Sequence, residues 1–266
     1  MLFRSDQCYH LKGKGVKAAV KAVRRLTKKY TYTFKTDIKS YYATIDRHQV
    51  QVLFSRWIKD RRILGLLWQY CDRIEDVNGC LVSHNQGIPK GGPLSIVIGT
   101  VYLVDLDQMP RNADTQYIRY MDDIILLSHS RHRLRQLIKQ VYKVLEACVL
   151  KLAAAKTFIG RVKKGFDFLG YHIGSNLDSV AMSQVSQQRL KERLQRLYEQ
   201  RVSQSRVAAY VKRWCRWAKS GLGQIKVILP KPLTLLLTNN PDDVSNRIII
   251  PLRSEEHTSE LQSRQY

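Results

Sequence analysis

The sequence predicts an α+β fold, an antiparallel sheet with helices on one face, followed by a separate basic helical subdomain. Three observations carry that reading. Stretches of helical periodicity alternate with short aromatic and β-branched runs. Two of those runs are joined by a tight turn at Asp122-Asp123. From residue 183 onward the pattern is helical and strongly basic. Strands joined as hairpins and interleaved with helices suit a layered domain, because each sheet must bury an apolar face against another element.

The elements follow in order. Residues 12–29 place Val16, Val20, Val23 and Leu26 at helical spacing among lysines and arginines, which makes an amphipathic basic helix. Tyr30 to Ile38 is rich in Thr, Tyr and Phe and reads as a strand. Val50 to Tyr70 returns to helical periodicity, with Trp57 and Trp68 on apolar faces. The glycines and prolines of NQGIPKGGP, residues 85–93, then break the chain before the apolar stretch Leu94 to Leu106. Two short strands flank Asp122-Asp123, a helix is expected from about Arg131 to Leu150, and a strand pair from Phe166 to Ile173. Between Arg189 and Arg216 there are nine Lys or Arg and two Glu, with Leu190, Leu194 and Leu197 forming an apolar stripe.

Composition narrows the partners. The 266 residues carry 45 Lys+Arg against 22 Asp+Glu, a formal charge of +23. Such a surplus points to a polyanion, with DNA or RNA first, since phosphate neutralisation releases condensed counterions. A merely well-solvated basic surface is the alternative. Cys8, Cys71, Cys80, Cys148 and Cys215 are odd in number, widely spaced and lack a CxxC pair, which argues against a disulfide framework and a zinc site. A reducing cytosol fits that usage. The opening residues are interrupted by charge and do not read as a signal peptide. The longest apolar runs are too short to span a membrane, so no membrane partner is expected.

The sharpest feature is YIRYMDDIILLS, residues 117–128, in which two adjacent carboxylates sit between apolar strands. Like charges repel there and burial disfavours ionisation, a cost that a divalent cation removes. Magnesium suits a few carboxylates plus water and substrate phosphates. A solvent-facing Asp-Asp turn is the plain alternative. FKTDIKSYYATID, residues 34–46, puts Asp37 near the end of another strand. A strand-end acid meeting the hairpin pair is the arrangement that two-metal phosphoryl transfer needs. Asp46 precedes a helix and is expected to cap it.

These strings resemble the reverse transcriptase family. YMDD matches its catalytic block, and TDIKSYYATID resembles the preceding aspartate block of bacterial members. NQGIPKGGPLS resembles the block between them, AAAKTFIG the lysine block, and FDFLGYHIG the primer-contacting hairpin. The five blocks stand in the family's order between residues 10 and 175 and are most similar to the group II intron, retron and diversity-generating lineages. The resemblance implies a right-hand polymerase fold: partial fingers at 1–29, a palm at 30–180 carrying a fingers insertion at about 47–92, and a basic helical thumb at 183–222.

The resemblance also implies roles. Asp37 and Asp122 would ligate two magnesium ions, with Asp123 in support and the Ile38 carbonyl completing one coordination sphere. Tyr42 would exclude a ribose 2′-hydroxyl and so select dNTPs; a core tyrosine is the alternative. Lys156 would donate a proton near the leaving pyrophosphate, unless it is a solvated surface lysine. Phe168, Leu169 and Gly170 match the primer grip, and equally a buried strand with a turn glycine. Trp214 and Trp217 could stack on nucleic acid, though packing of a helix on its neighbour is the favoured reading. The expected partners are an RNA template, a DNA or RNA primer, dNTPs and a cognate structured RNA.

Three departures stand out. Lys90 precedes Gly91 where many relatives carry glutamine, so contact with phosphate replaces tuning of base-pair geometry. The earlier fingers blocks lack a counterpart, which leaves Lys12 and Lys14 as the candidates for triphosphate contacts and suggests a shortened fragment. RSEEHTSELQS, within 253–266, resembles a translated sequencing adapter and is expected to be foreign and dispensable, and 223–252 matches no block. The expected activity is RNA-directed DNA polymerisation; an RNA-binding splicing helper and an RNA-dependent RNA polymerase are the competing readings.

Overall fold

The computed structural model describes residues 7–11, 13–72, 74–84, 86–109, 114–174, 179–223 and 225–228. The first half of the chain runs α1 (Val16–Thr27), β1 (Tyr32–Asp37), α2 (Tyr41–Thr44), α3 (Arg47–Ser55), α4 (Arg61–Cys71), β2 (Ile74–Val77), β3 (Cys80–Ser83), α5 (Ser95–Tyr102) and α6 (Val104–Asp107). The second half runs β4 (Thr115–Tyr120), β5 (Asp123–Ser128), α7 (Arg131–Ala147), β6 (Phe158–Arg161), β7 (Phe166–Phe168), β8 (Tyr171–Ile173), β9 (Ser179–Met182), α8 (Gln184–Glu199), α9 (Gln204–Lys219) and β10 (Lys226–Ile228).

The central sheet has the order β4-β5-β1-β6 and all its pairings are antiparallel. Its inner strand β5 is buried on both faces, with Ile124, Ile125, Leu126 and Leu127 all at 0% exposure. Successive strand residues point to opposite faces, so this run serves two cores at once. On one side Phe34, Ile124 and Leu126 pack with residues of α3, α5, α6 and α7. On the other, Ile118, Ile125 and Leu127 pack with Ala19, Val20 and Val23 of α1 and with Phe166, Phe168 and Tyr171 of the second sheet. The helical layer therefore lies on one face as expected, while α1 and the second sheet close the other.

Asp46 caps α3 as its position predicts, its side chain accepting from the Gln49 amide at 2.9 Å. The helical stretch expected from Val50 to Tyr70 is divided into α3 and α4. Asp60 starts the second helix by accepting from the Arg62 amide at 2.7 Å, so residues 56–60 break the run. The β2–β3 hairpin between α4 and α5 turns through Asn78-Gly79, both at positive φ (54° and 85°). That is the type I′ pattern for which Asn-Gly is the strongest short signal.

The second sheet, ordered β10-β9-β8-β7, leads into α8 and α9. Leu190, Val211 and Cys215 form a small core between these helices, with Leu194 and Trp214 against it. Trp214 thus packs a helix on its neighbour, whereas Trp217 is half exposed. Among the described residues no helix is long and apolar enough to cross a membrane. The segments 229–252 and 253–266 lie outside the described residues.

Candidate functional site

The carboxylates come from two adjacent strands and the turn that ends one of them. In the antiparallel register Asp37 of β1 is paired with Asp123 of β5, and Asp123 with Tyr120 of β4. Met121 and Asp122 form the two-residue turn between them, and the Asp37 side chain is buried. The sheet therefore delivers Asp37 to the same edge as the turn. This follows from register, which the buried alternation of β1 and β5 fixes.

The charges at that edge are unevenly matched. Burial, and then the Asp37 carboxylate beside it, push the Asp122 carboxyl up to about 6, with a hydrogen bond between the two groups contributing. Burial also raises Asp123, against the opposing pull of the Lys35 ammonium, which stands 3.5 Å away. Lys156 hydrogen-bonds and ion-pairs with Asp37, and this bond holds the ammonium proton more firmly than usual. Lys156 is itself 65% exposed, so the pair joins a buried acid to a solvated cation.

Asp37, Asp122, Tyr42, Lys90 and Lys156 line one open cleft of about 670 Å³, together with Arg47 and Gln86. Ile38 also borders it; its side chain is 1% exposed, so backbone is what it offers. Tyr42 is half-buried, and burial followed by the Asp122 charge raises its hydroxyl. The neighbouring Tyr41 is the core tyrosine, its hydroxyl donating to the Gly99 carbonyl at 2.5 Å.

The wall opposite is the QGIP segment. Its Gly87 amide donates to the Ile45 carbonyl at 2.9 Å and the Ile88 amide to the Tyr42 carbonyl at 2.8 Å. Gly87 has φ +87°, and a Cβ there would meet the Ala43 carbonyl oxygen at 2.8 Å. Gly87 is thus the glycine that lets two backbone segments approach closely. Gly91 has φ +82° in an exposed turn, open space around it, and no place in the cleft wall.

Other expected site residues stand apart. Lys14 is exposed beside the Tyr9 ring, 4.9 Å from its centroid, and does not line the cleft. Lys12 lies outside the described residues. Phe168, Leu169 and Gly170 belong to the β7–β8 hairpin of the second sheet. The Phe168 ring is buried in the core, and the Gly170 carbonyl accepts from the Ser183 amide at 3.0 Å, at the entrance to α8.

Several residues around the catalytic-type turn went unassigned in the sequence. Arg119, at 0% exposure in β4, is held in a fork by Asp107: Nε donates to Oδ1 at 2.8 Å and Nη2 bonds Oδ2. Burial is the largest influence and would lower its proton affinity, but the Asp107 hydrogen bond and the coulombic attraction of Asp107 and its neighbours together outweigh it, and the guanidinium stays charged. The Tyr117 hydroxyl and the Cys8 thiol also donate to Asp107, at 2.9 and 3.0 Å. Arg119 Nη1 reaches the Met121 carbonyl at 3.1 Å, and the Met121 amide donates to His10 Nδ1 at 3.0 Å. An arginine inside an apolar strand was a visible signal; nothing local marked His10.

Among the described residues no three His, Cys, Asp or Glu side chains gather as a ready-made metal cage. The Asp37–Asp122 pair nevertheless fits a divalent cation by its chemistry. Two hard oxygen donors share a half-buried site, and the Asp37 charge raises the cost of ionising Asp122, a cost that a dication relieves.

The architecture is that of a right-hand polymerase. The chain superimposes on the telomerase of Candida albicans, solved in complex with the TWJ fragment of telomeric RNA, with a TM-score of 0.54 at 14% identity. That match covers 83% of this chain and 44% of the telomerase chain. Apo telomerase from Candida tropicalis gives 0.52 at 13% identity, covering 66% of this chain and 36% of that one. Residues 1–173 match the reverse transcriptase (RNA-dependent DNA polymerase) family, and the chain belongs to that family. Protein YkfC of Escherichia coli K12 is 24% identical over 177 residues, 53% of this chain and 46% of YkfC. The chain spans less than half the length of each of these relatives.

Proposed function

We propose that this chain is the core of an RNA-directed DNA polymerase, adding dNTPs to a primer 3′-hydroxyl on an RNA template. The observation that carries the proposal is the single cleft holding Asp37, Asp122, Tyr42, Lys90 and Lys156, assembled from four separate stretches of a reverse-transcriptase-family chain. In this reading Asp37 and Asp122 hold two magnesium ions, with the Ile38 carbonyl as a further oxygen donor and Asp123 in support. Those ions, when bound, supply activation of the hydroxyl and neutralisation of triphosphate charge.

The remaining work belongs to the protein's own groups. Tyr42, beside Asp122, presents a half-buried ring where a 2′-hydroxyl would otherwise fit. Lys156 leaves Asp37 for the triphosphate and gives a proton to the leaving pyrophosphate. Lys90, exposed on the cleft rim, takes phosphate charge, and the buried Arg47 keeps the QGIP wall in place by donating to the Gly87 carbonyl at 2.8 Å. Fingers are assigned to 1–29, palm to 30–180 and thumb to 183–222, where the basic outer faces of α8 and α9 meet duplex phosphates. None of the five cysteines forms a disulfide, which suits a bacterial cytoplasm.

Primer extension on poly(rA)/oligo(dT) with dTTP and magnesium tests the proposal. The wild-type chain should incorporate dTTP, and Asp122→Ala with Asp123→Ala should reduce incorporation to background. Incorporation that survives the double substitution would overturn the site. Tyr42→Ala should raise use of UTP relative to dTTP; an unchanged ratio would remove Tyr42 from sugar selection.

A further inference from the structure

Met121 immediately precedes Asp122 and has φ 55°, a left-handed conformation that is strained for a non-glycine residue. Such a residue stays where it is only when its surroundings over-determine it. Both polar groups of Met121 are claimed: the carbonyl by Arg119 Nη1 at 3.1 Å, and the amide by His10 Nδ1 at 3.0 Å. An imidazole nitrogen that accepts from an amide carries no proton, so the hydrogen of a neutral ring is on Nε2. Nε2 lies 2.8 Å from Thr100 Oγ1, and that hydroxyl donates onward to the Ile96 carbonyl at 2.6 Å. Every donor in the relay has one acceptor, and a single tautomer satisfies all of it.

The relay is also anchored. The Tyr9 amide donates to the Arg119 carbonyl at 2.8 Å, and the Arg119 amide to the Gln7 carbonyl at 2.9 Å. Residues 7–9 thus lie along β4 through a single bridge at Cys8, and His10 reaches the turn from that segment. Burial, followed by the Arg119 charge, lowers the ring to about 4, which keeps it neutral near pH 7. Protonation would set two N–H groups against each other at Met121.

We propose that His10 is a positioning residue, whose neutral imidazole takes the Met121 amide hydrogen and so fixes where the Asp122 carboxylate stands in the cleft. The activity consequence rests on the polymerase reading above; the hydrogen-bond relay does not. A misplacement of about 1 Å at a reacting centre costs on the order of 100-fold in rate. His10→Ala should lower kcat by about 10- to 100-fold with KM for dTTP little changed. Asparagine can offer an acceptor near the place of Nδ1, whereas glutamine mimics Nε2. His10→Asn should therefore recover most of the lost kcat, and His10→Gln should not.

Nitrogen-15 NMR of the wild-type protein should give a pyridine-like Nδ1 and a protonated Nε2 for His10. Hydrogen exchange of the Met121 amide should be faster in His10→Ala than in wild type or His10→Asn. A folded His10→Ala with wild-type kcat would overturn the proposal, as would equal impairment of the Asn and Gln variants or a protonated Nδ1. If wild type fails to incorporate dTTP, the polymerase reading falls, while ring tautomer and Met121 exchange still decide the clamp. Circular dichroism on each variant separates loss of fold from loss of position.

Discussion

The β4–β5 and β7–β8 hairpins both turn through two residues, Met121-Asp122 in one and Leu169-Gly170 in the other. In the second, both central residues have positive φ, 47° and 86°, the pattern of a type I′ turn. Its glycine meets half of that demand at no steric cost, and Leu169 packs against the second core. In the first, only Met121 has positive φ, the pattern of a type II′ turn, where glycine is the usual occupant. Here a methionine holds the position and an acid with a raised pKa follows it. The strained Met121 backbone is tied from outside, by His10 at its amide and Arg119 at its carbonyl, rather than by residue choice within the turn. A turn whose sequence suits it needs little support; a turn that must display a carboxylate is held from outside.

The largest expected effect separates the two turns by function. Asp122→Asn keeps the shape of the turn and removes the charge, and dTTP incorporation should fall by roughly 1,000-fold or more, as for removal of an essential catalytic group. Retention of activity within tenfold would erase the distinction drawn between the hairpins.

The next effect is on stability at the other turn. Gly170→Ala forces a side chain onto φ +86° and brings its Cβ to 2.9 Å from Ser186 Oγ. A loss of about 1–2 kcal/mol is expected in denaturant melts. Gly79→Ala makes the control, because φ is +85° but a Cβ there meets nothing within 4 Å. Its cost should be smaller, about 1 kcal/mol, from backbone conformation alone. Equal losses at the two glycines would mean that the Ser186 contact carries no weight.

The smallest effect has the opposite sign. With EDTA present at pH 7.5, Asp122→Asn should melt a few degrees above wild type, because it removes a half-buried charge beside Asp37. The advantage should close as pH falls through about 6, where the wild-type carboxyl gains its proton. Between its ordinary 3.8 and about 6, the folded state holds a proton that the unfolded chain has released, so wild-type stability declines as pH rises. Parallel melting curves across pH 5 to 8 would count against the raised carboxyl.

Much of this was legible in the chain. The apolar run Ile124–Leu127 beside two acids announced a buried strand ending in a charged turn, and Asp37 at the end of another such run supplied its partner. The Asp46 cap was readable, and so was the Asn78-Gly79 hairpin, which was passed over although its turn chemistry is strong. The division between α3 and α4 was missed because apolar periodicity carries on across residues 56–60, and only the Asp60 cap marks a new start. That Gly87 is the glycine backing onto another backbone was not readable, because a string shows glycines and no distances between segments.

Taken alone, the sequence determined local conformation, the two-sided burial of β5 and the kinds of chemistry available, since these depend on residue type and short-range period. Tertiary structure decided which of those residues share a site. Asp37 and Asp122 meet through strand register, whereas Phe168–Gly170 belong to the second sheet and Lys14 stands outside the cleft. It also decided that His10, 111 positions before Met121, completes the acid turn. Hydrogen-bond partners at that separation are set by how the layers pack, and a linear string carries no distance between its ends.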